Sequence, residues 1–69
     1  MKNSEIINEL MEAGKLSSVI VWRTTEGKIW ADFTVHFTTE AIESSDCFKS
    51  VDDALDWIAQ TASNLLEKS

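Results

Sequence analysis

Apolar residues recur with a helical period near the start of the chain, in residues 4–13. The positions that share this helical face are Ile6, Ile7, Leu10 and Met11. We expect Asn3 or Ser4 to cap the start of the helix. Gly14 is expected to end it, because glycine adopts the left-handed conformation at little cost.

A second helical pattern begins at Ser50, which forms a Ser-x-x-Asp capping box with Asp53. Its apolar stripe consists of Val51, Leu55, Ile58, Ala62 and Leu65. Acids in the first turn and Lys68 near the end both suit the helix dipole. The pattern therefore predicts an amphipathic C-terminal helix.

Between these helices the apolar period changes to two, which predicts strands over residues 18–25 and 28–37. One side of the second strand consists of Ile29, Ala31, Phe33, Val35 and Phe37. The other side consists of Trp30, Asp32, Thr34 and His36. Residues 38–49 are ambiguous, with a short third strand near 40–44 as one interpretation. The fold class is therefore α+β: a single domain, 1–69, in which N- and C-terminal helices flank a small antiparallel sheet of two or three strands.

Two hairpin turns fit the residues between the strands. A two-residue loop at Glu26-Gly27 needs positive φ at both positions, whereas a three-residue loop, 25–27, needs it only at Gly27. The longer loop is favoured by roughly 1 kcal/mol, the cost of a left-handed non-glycine residue. It turns Val19 and Val21 toward the core and places Trp22 opposite Trp30.

The shorter loop reverses the first strand, so that Ile20 and Trp22 turn inward and Arg23 lies where it could stack on Trp30. Trp30 faces away from the main core in both registers. Two interpretations of this outer face stay open: a partner docks there, or a helix or segment 38–49 covers it. The candidate partner-binding residues are Trp30, Trp22, Ile20 and Arg23.

Charge narrows the choice of partner. Twelve acids against six bases give a net charge of −6, which argues against direct binding of nucleic acid or anionic membranes. A protein partner with a basic surface is favoured, and a homodimer through the outer sheet face is a further candidate. No run approaches the ~20 apolar residues of a membrane span. The single cysteine, Cys47, suits a reducing compartment, and we expect a cytoplasmic protein.

Catalytic and metal-binding patterns are not found in the sequence. One histidine and one cysteine are too few for a closed zinc site, and two glycines are too few for a phosphate-binding loop. His36 is interpreted as a surface residue and Cys47 as a packed one. We expect no enzymatic activity, no catalytic residues, no metal and no cofactor.

Acidic residues form two groups, one on each predicted helix. Helical spacing places Glu5, Glu9 and Glu12 on one face. The second group consists of Asp52, Asp53 and Asp56. Each group is interpreted either as a solvated helix face or as an acidic strip that docks on a basic groove.

Two families resemble parts of this sequence. The order helix, strands, helix resembles the double-stranded-RNA-binding domain. That family binds phosphates with basic residues at the start of its last helix, and the same place here is Ser50-Val51-Asp52-Asp53-Ala54, which is acidic. The resemblance therefore implies a shape but not RNA binding. Residues 27–67 also resemble the partial-RNase-H-like domain of HicB antitoxins, through Gly27, Ile29-Trp30-Ala31-Asp32-Phe33 and Ser50-Val51-Asp52-Asp53-Ala54-Leu55. The Pro-Gly-Cys segment and the DNA-binding tail of that family are missing, and an N-terminal helix is added.

The leading functional hypothesis is a non-catalytic protein-binding module. It would be a small acidic regulator or inhibitor, of the phage or mobile-element anti-defence type, that occupies a partner surface. One alternative is an acidic decoy that mimics nucleic acid, built on the two acidic groups. Another is an antitoxin-like neutraliser, which would need a toxin encoded beside it.

Overall fold

The computed structural model describes residues 2–68. Its elements in chain order are α1 (Asn3–Glu12), β1 (Leu16–Arg23), β2 (Ile29–Val35), β3 (Ile42–Glu43) and α2 (Val51–Lys68). The strands form one antiparallel sheet in the order β1-β2-β3. The α+β prediction is confirmed, and the two-residue β3 makes the sheet three-stranded.

The turn between β1 and β2 is the three-residue loop. Gly27 has φ +86°, and positive φ occurs at no non-glycine residue within 2–68. The Thr24 N–H donates to the Lys28 carbonyl at 2.8 Å, and the Gly27 N–H donates to the Thr24 carbonyl at 3.0 Å. This loop sets Val21 opposite Ala31 and Trp22 opposite Trp30, the register that the sequence favours.

Helix α1 ends as predicted but starts differently. Gly14, at φ +74°, donates its N–H to Met11, and Lys15 donates to Leu10, which is a Schellman motif. The N-cap position is Lys2, and no side chain caps the helix there. The predicted cap at Asn3 or Ser4 is wrong, because Asn3 is already the first helical residue.

Helix α2 is capped as predicted, with Ser50 Oγ accepting the Asp53 N–H at 3.1 Å. Val51, however, is 51% exposed. It belongs to the predicted apolar stripe but lies outside the core, because it is at the helix start, one turn before Ala54, the first residue of α2 to be buried. Acids in the first turn and Lys68 in the last turn complement the helix dipole.

One hydrophobic core joins both helices to a single face of the sheet. Its fully packed members are Ile7, Leu16, Ala31, Phe33, Val35, Ala54, Ile58, Ala59 and Ala62. Phe37, predicted to point inward, is instead 53% exposed, because β2 ends at Val35 and a turn follows. Trp57 packs edge-on against Phe33, with ring centroids 5.4 Å apart, and Phe48 packs against Trp57, with ring centroids 5.8 Å apart.

The two helices run side by side in roughly the same direction. The start of α1 borders the start of α2 at a shallow cleft that includes Ser4 and Asp52. The end of α1 borders the end of α2 at a second cleft that includes Leu10 and Leu66. The molecule therefore has one helical layer and one sheet layer, and the outer face of the sheet is turned away from both helices.

Replacing Gly27 with alanine should lower the free energy of unfolding by about 1–2 kcal/mol, the cost of a left-handed non-glycine residue. An added Cβ would lie 3.4 Å from Arg23 Nη2, an ordinary contact, so the cost is conformational and not steric. Urea unfolding measures the difference. Gly27→Asn is the control, and its free energy of unfolding should fall by less, because asparagine tolerates this conformation. Equal losses of stability in the two variants would contradict a cost that arises from the left-handed conformation of Gly27.

Candidate functional site

Three apolar side chains on the outer face of the sheet form a cluster, here called the outer patch: Ile20, Trp22 and Trp30. Trp22 and Trp30 lie directly opposite each other on β1 and β2. Ile20 is 49% exposed and Trp22 41% exposed, while Trp30 is half-buried. Neither helix nor segment 38–49 buries Ile20 or Trp22, so this part of the face is open to a partner.

Acidic side chains border the outer patch. Asp32 lies opposite Ile20 on one side and opposite Glu43 of β3 on the other. Opposed residues of an antiparallel pair share a face, so the two carboxylates are close neighbours, an unfavourable pairing of like charges. Asp32 Oδ1 is buried and has no hydrogen-bond partner within residues 2–68.

No cation among residues 2–68 forms an ion pair with Asp32 or Glu43. Across the part of the chain that the structure describes, the one ion pair joins Lys28 Nζ to Glu26 Oε2 at 3.6 Å, in the exposed hairpin turn. Asp32 and Glu43 therefore present uncompensated negative charge beside exposed tryptophan. A surface that combines an apolar group with lysine or arginine is complementary to this arrangement.

Arg23 lies on the other side of the sheet from the outer patch. It is opposite Ile29, whose side chain packs against the core, and its guanidinium reaches back to Gly27. The three-residue turn is the cause, because it sets the alternation of β1. The arrangement in which Arg23 stacks on Trp30 belonged to the other register and is not formed.

The acidic residues predicted on the helices are all exposed: Glu5, Glu9, Glu12, Asp52, Asp53 and Asp56. Glu12 accepts a hydrogen bond from Asn8 Nδ2 at 3.3 Å, and Asp56 accepts one from Gln60 Nε2 at 3.0 Å. Since both helices cover the inner face of the sheet, these acids and the outer patch belong to opposite layers of the molecule.

His36 and Cys47 are the other side chains considered for chemistry. His36 packs edge-on against Phe37, with ring centroids 5.3 Å apart, and Cys47 is half-buried. No three His, Cys, Asp or Glu side chains among residues 2–68 are grouped to hold a metal ion. The larger cleft, of about 430 Å³, is lined by Lys2, Asn3, Ser4, Asp52 and Leu55.

Comparisons with protein-family models, with curated proteins and with solved structures found no match. Within residues 2–68, no helix combines the length and apolar character needed to cross a membrane.

Sequence reasoning missed the acidic pair at the border of the outer patch. The alternation of β2 places Asp32 on the outer face, but its neighbour lies in the ambiguous segment 38–49. Only the pairing of β3 with β2 identifies Glu43 as that neighbour.

Replacing Glu43 with glutamine should raise the free energy of unfolding by roughly 0.2–1 kcal/mol, because it removes a like charge directly opposite Asp32. Urea unfolding at low ionic strength measures this. Glu40→Gln is the matched control, since it makes the same change at an exposed loop position. The difference between the two variants should shrink in 1 M salt. Equal effects of the two variants at low salt would show that the repulsion between Asp32 and Glu43 does not lower stability.

Proposed function

We propose that this chain is a non-catalytic protein-binding module, a small acidic regulator or inhibitor that occupies a surface of its partner through the outer patch. The observation that carries the proposal is the exposure of Ile20 and Trp22, beside Trp30, on a sheet face that neither helix covers. Contiguous exposed apolar groups of this kind mark interaction sites on small proteins.

Tryptophan gives such a patch much of its binding energy. A Trp side chain buries about 150–250 Å² in a contact and loses little conformational freedom, so it is common among interface hot spots. Trp22 and Trp30 are held opposite each other by the β1–β2 pairing. The patch is therefore preorganised, and binding costs little side-chain ordering.

The acidic border supports a partner with a basic surface. Asp32 and Glu43 lack a cationic neighbour in the described chain, and the net charge of −6 accelerates encounter with a basic surface. Arginine suits both parts of the site, because its guanidinium pairs with carboxylates and stacks on tryptophan. We therefore propose a protein partner whose contact surface combines arginine or lysine with apolar side chains.

Replacing Trp22 with alanine should weaken binding of the partner by at least about tenfold, because the variant removes a central anchor of the contact. The partner is first captured on the immobilised chain and then titrated against each purified variant. Circular dichroism checks that the fold is retained.

Val51→Ala is the matched control, because Val51 is similarly exposed, at 51%, but lies on the helical layer. This variant should bind as the parent chain does. If both variants bind the partner with unchanged affinity, the outer patch is not the docking surface.

An acidic decoy that mimics nucleic acid is the second candidate. The six exposed acids of the two helices favour it, because they form no ion pair within residues 2–68. Under this hypothesis a basic groove of the partner receives the helical layer, and the outer patch is not involved.

The two candidates differ in how binding responds to neutralised helix acids. For docking through the outer patch, the triple variant Glu5→Gln, Glu9→Gln, Glu12→Gln should bind within about threefold of the parent, since distant surface charges act mainly on encounter and are screened by salt. Titrations at 50 mM and 300 mM salt measure this. A loss of tenfold or more for the triple variant, with Trp22→Ala unaffected, would favour the decoy.

A further inference from the structure

Within the described part of the chain, no strand lies beside the outer edge of β1. The sheet order β1-β2-β3 leaves β1 at one margin, and within residues 2–68 it pairs with β2 alone. The far edge of β2 is covered by β3 and by the bridge between Ile29 and Phe48. The long unpaired edge of this sheet therefore belongs to β1, with its eight residues.

Hydrogen bonds on β2 establish which β1 groups point outward. The carbonyls of Ile29 and Ala31 accept N–H groups from Phe48 at 2.8 Å and Ser44 at 3.1 Å, on the β3 side. The alternate β2 residues Trp30 and Asp32 must then bond to β1, where they face Trp22 and Ile20. On β1 the remaining residues direct their N–H and C=O groups to the open edge: Val19, Val21 and Arg23.

This edge lacks the features by which monomeric proteins protect theirs, which include proline, charged side chains and central bulges. Residues 18–22 read Ser-Val-Ile-Val-Trp, with no charge and no proline. The one irregularity lies between Leu16 and Ser18, at the start of the strand, and the one charge, Arg23, lies at its end. Between them, the outward backbone N–H and C=O groups of β1 are flanked by uncharged side chains.

We propose that a second copy of this chain pairs antiparallel with β1 along this edge, about a two-fold axis at Val21. The two three-stranded sheets then form one continuous sheet. Centring at Val21 pairs Val19 with Arg23 of the second copy and Val21 with its own equivalent, so every outward group between 19 and 23 is bonded. Centring at Ile20 would require bonding at the irregular Ser17, and centring at Trp22 would leave Val19 beyond the paired strand.

Side-chain chemistry favours the same register. On the outer face, Ile20 lies opposite Trp22 of the second copy, and Ser18 lies opposite its Thr24. Both are non-hydrogen-bonded positions, where side chains approach most closely. On the outer face apolar thus meets apolar and polar meets polar, while on the inner face Val19 meets Arg23. The occupant is a second copy because the edge is self-complementary in this register, and because β1 carries none of the chain's twelve acids.

Dimerisation of this kind also enlarges the outer patch. Ile20, Trp22 and Trp30 of both copies would lie side by side across the joined sheets. The edge pairing can be tested separately from the proposed docking function, because its hydrogen bonds use backbone groups of β1, whereas docking uses the side chains of the outer patch.

The first test is the mass in solution of the full chain and of a chemically synthesised chain N-methylated at Val21. Light scattering should give twice the 7.8 kDa chain mass for the parent. The Val21 N-methyl chain should give the single mass, because the outward N–H is lost while the side chain and the outer patch are kept. N-methylation at Thr39, a loop position whose N–H donates to no residue within 2–68, is the control and should leave the dimer intact.

A parent chain of single mass at every concentration would overturn the edge pairing, as would a Val21 N-methyl chain that stays dimeric. Neither outcome bears on the outer patch, which Trp22→Ala tests in the partner titration. If Trp22→Ala loses partner binding but stays dimeric, the docking surface and the edge pairing are likewise shown to be distinct.

Disulfide cross-linking tests the register without relying on the N-methyl variant. In a Cys47→Ser background, chains carrying Ile20→Cys and chains carrying Trp22→Cys are mixed and oxidised. The proposed register places these two positions about 4.5 Å apart between Cα atoms, within disulfide range, and leaves the other Ile20–Trp22 contact intact. The mixed disulfide should therefore exceed the disulfide of either variant alone. More cross-linking by Ile20→Cys or Trp22→Cys alone would overturn this register.

Discussion

The left-handed conformation of Gly27 decides which side chains of the sheet face the helices. With φ at +86°, Gly27 closes a three-residue loop and holds Val21 opposite Ala31 on the core side. A loop one residue shorter would have turned Ile20 and Trp22 inward, because side chains alternate across a strand. One backbone torsion thus separates the core from the outer patch.

The same register separates the molecule's apolar surface from most of its charge. Both helices pack on the inner face of the sheet and expose their acids to solvent, while the outer face keeps Trp22 and Trp30 together. Asp32 and Glu43 oppose each other at the border of this patch, and within residues 2–68 neither forms an ion pair. The apolar groups of the outer face and these two carboxylates together support the proposed docking surface.

Much of this arrangement could be predicted from the sequence, where local rules decide the structure. The helical periods follow from the spacing of apolar residues, and the Gly14 stop, the Ser50 cap and the Gly27 turn each follow from one residue's own preferences. Phe37 and Val51 could not be predicted in this way, because their exposure depends on where a strand ends and a helix begins. The pairing of Asp32 with Glu43 could not be predicted either, because Glu43 lies in segment 38–49, whose sequence has no clear pattern.

Fluorine NMR of the chain labelled with 5-fluorotryptophan tests the central claim most directly, that the outer patch is the docking surface. Its three tryptophans give one resonance each, and Trp57, packed against Phe33 and Phe48, serves as an internal reference. On addition of the captured partner, the resonances of Trp22 and Trp30 should shift or broaden while that of Trp57 stays unchanged. Binding that leaves Trp22 and Trp30 unperturbed would contradict the account.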